Sequence, residues 1–248
     1  MEYKNIGYQI LTSKTIPDTK IVTISDLNFN KETDKHDMID LVLSINDLMP
    51  NYVFILGNIC TYDQIQYTVF ENNLNCFFEL LSCISKIYVV FGSNDYKINN
   101  LEKKYLIQIE KLIALYQKYN MQIVNNILIE NKDLNIVGFN KDPNSYNNIE
   151  KAKQELLTLL NEIKEKIDNN KFSTLITHYD LLNLKMEKEL LEIFDIILTG
   201  TNQKTIKATG LFQKEIEEQI INKKEFIKTG GISNGEIGLI KIKTLKKD

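Results

Sequence analysis

The chain alternates two hydrophobic rhythms. Short runs of about five apolar and β-branched residues stop abruptly at polar turns, the pattern of strands buried on both faces. The central run is Lys20 to Ser25, which ends at Asp26-Leu27-Asn28. Tyr52 to Leu56 ends at Gly57-Asn58, Ile87 to Phe91 at Gly92-Ser93-Asn94-Asp95, and Phe172 to Ile176 at Thr177-His178. Asp195 to Leu198 ends at Thr199-Gly200-Thr201-Asn202-Gln203. Ligands bind at the carboxyl ends of strands in open parallel sheets, so these runs deliver their polar turns to one edge.

Between the runs the period lengthens to that of helices. Met38, Leu41, Val42, Ile45 and Leu48 form an apolar stripe that Pro50 stops. Further stripes are Phe70 to Ile84, Leu101 to Tyr116, and Ile149 to Ile167. Each needs a sheet to cover. Strand and helix in alternation predict an α/β fold with a largely parallel sheet, after a first strand at 7–12. The middle (122–125, 127–130, 134–139) and the end (225–229, Gly230-Gly231, 237–242) break the rhythm and read as antiparallel hairpins. The expectation is two mixed sheets face to face with helices outside, residues 1–248 forming a single domain.

Composition adds exclusions. With 248 residues and 43% apolar content the chain can bury a core without disulfides or structural metal. Its 30 basic and 33 acidic side chains interleave to a net charge of -3, which predicts no nucleic-acid partner and no anionic membrane surface. Cys60, Cys76 and Cys83 are an odd set without a targeting segment, pointing to reduced thiols and a cytoplasmic protein. Cys76 and Cys83 lie in a helical stripe and are expected to face the core. No apolar run approaches the ~18 residues of a membrane span.

Laid side by side, the turns resemble those of the calcineurin-like metallophosphoesterases, specifically the small bacterial members, from about residue 6 to 243. Their order and spacing carry the resemblance, with the phrase Phe194 to Gly200, the Gly210-Leu211-Phe212 stretch and the Gly230-Gly231 tail. The fold this implies is a four-layer α/β/β/α sandwich of two mixed sheets flanked by helices. The activity it implies is two-metal hydrolysis of phosphate esters, with a carboxylate bridging the metals and a histidine assisting the leaving group.

Carried over position by position, most of that chemistry is missing. Asp26 matches the first aspartate and His178 a ligand histidine. Asn28 stands for the first histidine, Asn58 for the bridging aspartate and Thr61 for the second aspartate of that turn. Ser93 stands for a ligand asparagine, Asn94 for the catalytic histidine, and Thr201 and Gln203 for the final pair of histidines; only Gly92 and Asp95 of their turn match. Two adjacent cations need an anionic bridge. A carboxamide is neutral, and Asn94 has no proton to exchange near pH 7. The expectation is a catalytically degenerate member with no catalytic residue and no cofactor, serving as a binding or scaffolding module for an unidentified protein partner.

Other readings stay open beside it. Asp26, His178 and Asp95 could hold one weakly bound Mn²⁺ or Mg²⁺ and support a reduced, one-metal phosphoesterase. Asp63 and Asp180 could extend an oxygen-rich Mg²⁺ site with Asp26 and Asp95, or be exposed acidic loop residues. Asp26 could instead accept hydrogen bonds from backbone donors of the next turn. Glycine turns could bind a phosphate or nucleotide without turnover. Cys60 and His178 could form a nucleophilic pair if they touch. His36, among polar residues, reads as a surface side chain.

Overall fold

The β-branched runs form strands where they can be buried on both faces, and the stripes form helices laid over them. The structure, a computed structural model, describes residues 4–61, 64–95, 103–141, 148–200, 219–221, 225–229 and 236–244. In chain order its elements are β1 (Lys4–Thr12), β2 (Thr19–Ile24), α1 (Lys35–Asp47), β3 (Tyr52–Leu56), α2 (Thr68–Ser82), β4 (Lys86–Val90) and α3 (Lys103–Lys118). There follow β5 (Gln122–Ile123), β6 (Leu128–Glu130), β7 (Leu134–Phe139), α4 (Ile149–Ile163), β8 (Phe172–Thr177) and α5 (Glu187–Ile193). The chain closes with β9 (Ile196–Gly200), β10 (Gln219–Ile221), β11 (Glu225–Thr229) and β12 (Glu236–Thr244).

One sheet has the order β10-β1-β12-β2-β3-β4-β5 and the other β11-β9-β8-β7-β6. Both are mixed: β12 runs antiparallel to β2, and β6 antiparallel to β7. Three apolar layers hold the stack together. Val22, Ile24, Val53, Ile55 and Val89 meet the stripes of α1 and α2. Ile21, Phe54, Leu56, Tyr88 and Val90 meet Ile136, Phe172, Ile176 and Leu198 between the sheets. Val137, Leu175 and Ile197 meet α4 and α5. The result is the expected α/β/β/α sandwich.

Two expected hairpins are not hairpins. The segment at 122–125 crosses back through α3 and pairs parallel with β4, Tyr88 opposite Gln122, so β5 lies in a different sheet from β6. Val124 extends that contact by donating its N–H to the Val89 carbonyl at 2.8 Å. At the end of the chain β11 joins β9 in parallel, while β12 enters the other sheet between β1 and β2. The reason is visible in β12. Ile237 and Leu239 pack toward the helices and Ile240 and Ile242 between the sheets, so β12 must be buried on both faces. The isolated edge of a hairpin would leave one face wet.

The cysteine expectation also needs correction. Helix α2 ends at Ser82, so Cys83 is its cap, exposed, with the thiol donating to the Glu79 carbonyl at 3.3 Å; Cys76 is half-buried. Among the described residues no helix is long and apolar enough to cross a membrane.

Candidate functional site

Strands β2, β3 and β4 run parallel, as do β8 and β9, and the turns that follow β2, β3, β4 and β8 bond to one another. These turns approach more closely than side chains would normally allow. Gly57 has φ +87°, and a Cβ there would lie 2.5 Å from the Gly92 amide nitrogen and 3.0 Å from His178 Cβ. A Cβ on Gly92 would lie 2.6 Å from the Asn58 amide nitrogen. Asp26, Asn28 and Asn58 adopt φ of 52°, 46° and 56°, the left-handed region in which Asn and Asp are the least penalised side chains. Backbone bonds stitch the first two turns: Asp26 N–H to Gly57 O at 3.1 Å, Asn28 N–H to Asn58 O at 2.9 Å, Phe29 N–H to Ile59 O at 2.8 Å.

Asp95 ties the third turn to the second. Its Oδ2 accepts the N–H of Asn58 at 2.8 Å and of Gly92 at 2.6 Å, and its Oδ1 accepts the N–H of Ile59 at 2.9 Å. The N–H of Cys60 also bonds to this carboxyl. Burial pushes Asp95 up to about 6, against the four backbone donors that pull it down.

The centre of the site is the Asn58 carboxamide. Its Oδ1 accepts the backbone N–H of Asn94 at 2.8 Å. A backbone N–H can only donate, which fixes the amide and turns Nδ2 inward. Nδ2 then donates to Asp26 Oδ1 at 2.7 Å and meets His178 Nε2 at 3.0 Å. His178 Nδ1 lies 2.7 Å from the Leu56 carbonyl, which can only accept, so the ring proton sits on Nδ1 and Nε2 offers a lone pair to Asn58. Burial holds His178 below the ordinary histidine range, partly opposed by the Asp26 charge. Above this layer Asn94 Nδ2 donates to Asn28 Oδ1 at 2.8 Å, and Asn28 Nδ2 to the Asp26 carbonyl at 3.1 Å.

The structure thus brings Asp26, Asn28, Asn58, Asn94 and His178 into one network. Ser93 is half-buried in the Asn94 turn, and Thr61 is half-buried beyond Cys60. Thr201, Gln203, Asn202, Asp63, the 210–212 stretch and Gly230-Gly231 lie outside the described residues. Cys60 packs in the apolar layer under the helices and bridges Phe29. His36 is exposed and follows the α1 cap, its N–H on Asp34. Among the described residues no cluster of three or more His, Cys, Asp or Glu side chains could hold a metal.

Two assignments move. The carboxylate that gathers backbone donors is Asp95, not Asp26, whose oxygens take the Asn58 amide and, at 3.4 Å, the Ser25 hydroxyl. Asp95 is also buried rather than an exposed loop acid. Asn140 was missed: its Oδ1 accepts the Phe91 N–H at 2.9 Å and its Nδ2 donates to the Val124 carbonyl at 3.2 Å, joining the two sheets beside the Gly92 turn. It follows an apolar run at a strand end, the same signal that marked the other turns.

In fold the chain is similar to a crystal structure of a dimetal phosphatase from Danio rerio, with a TM-score of 0.52 over 87% of this chain and 88% of that one. The fold is metallophosphoesterase-like. At 10% sequence identity the likeness extends to the fold alone. No family model matches the chain, and no curated protein matches it in sequence. The mixed sheets of this metallophosphoesterase-like fold account for the placement of the turns, while the side chains on them are this chain's own.

Proposed function

We propose that the chain is a non-catalytic binding module built on a metallophosphoesterase-like fold. The observation that carries this reading is the position of Asn58 Nδ2, 2.7 Å from Asp26 Oδ1 and 3.0 Å from His178 Nε2. Those two atoms are the lone pairs with which Asp26 and His178 would hold a cation, and one neutral amide engages both. A pair of divalent ions also needs a shared anion between them; Asn58 presents protons in that place. The donor set therefore does not fit a dimetal centre, and no hydrolytic step is derived through one.

A single-metal site on Asp26, His178 and Asp95 fares little better. Both Asp95 oxygens face backbone N–H groups, so releasing them to a metal would unpair the turn that builds the site. Asn94 supplies no acid or base. The expected partner is a protein, because the stacked layers and turn scaffold persist without the metal ligands.

A hydrolysis assay on bis(p-nitrophenyl) phosphate with excess Mn²⁺ tests the reading. Wild type and Asp26→Ala should both match the buffer rate. Metal-dependent turnover that disappears in Asp26→Ala would overturn it. In the converse direction, Asn28→His, Asn58→Asp, Ser93→Asn, Asn94→His, Thr201→His and Gln203→His together should recover metal affinity.

A further inference from the structure

We draw no further inference here: the strongest candidate, the groove of about 320 Å³ between the last turns of α4, the 164–169 turn and α5, takes Leu160 and Ile167 of its aliphatic lining from the buried core, and nothing in the structure shows what covers it.

Discussion

Two buried carboxylates stand at the same loop edge, both bonded to Asn58, and they serve different ends. Asp95 takes four backbone N–H groups from two turns. Asp26 takes the side-chain amide of Asn58 and the hydroxyl of Ser25. The first builds the shape of the edge; the second belongs to its chemistry. The lesson is that a turn scaffold and the ligand set it carries are separable. The glycines and Asp95 are demanded by close approach and by backbone donors. Asn28, Asn58 and Asn94 bond to one another and to Asp26 and His178.

The sharpest way to break the scaffold is Gly92→Ala. Its Cβ would run into the Asn58 side chain and lie 2.6 Å from its backbone nitrogen, so the two turns must part. A loss of about 4 kcal/mol in urea unfolding is expected. A loss under about 1 kcal/mol would mean that the turns are not locked together.

Acidity separates the two carboxylates next. Because burial raises Asp95 from the ordinary 3.8 to about 6, the folded state binds its proton more readily than the unfolded chain does. Its contribution is fully present below pH 4 and is lost as pH rises through 6, by at most about 3 kcal/mol. His178, lowered by burial, acts in the opposite sense and costs stability as pH falls below 6.5. Subtracting the pH profile of Asp95→Asn from that of wild type isolates the first effect, and a flat difference would contradict it.

Substitution at neutral pH gives the smaller contrasts. Asp95→Asn should cost about 2 kcal/mol, because an amide nitrogen confronts backbone N–H groups that lose their acceptor, offset in part by removal of a buried charge. Asp26→Asn keeps an acceptor oxygen for Asn58 and should cost under about 1 kcal/mol. Equal losses in chemical denaturation would erase the distinction between the two carboxylates.

Much of this edge was legible in the sequence because its signal is local. A buried strand announces itself as an apolar run, and its end as the polar turn that follows, which located Asp26, Asn58, Asn94 and His178. Sheet membership was not local. β5 and β12 read as hairpin arms because their linkers to neighbouring strands are short, and only burial on both faces of β12 sends it between β1 and β2. The partners of Asp95 were hidden for a related reason. Four backbone donors converging on a carboxylate depend on the approach of two turns, which no side-chain pattern records. Asn140 could have been found by the strand-end rule and was not.

Between Asp26 and His178 the Asn58 amide presents protons rather than a shared anion. Elemental analysis of protein purified without chelator, incubated with excess Mn²⁺ and then desalted, tests it most directly. Well under one equivalent of divalent metal per chain should remain bound. Retention of two equivalents, released by Asp26→Ala, would contradict it.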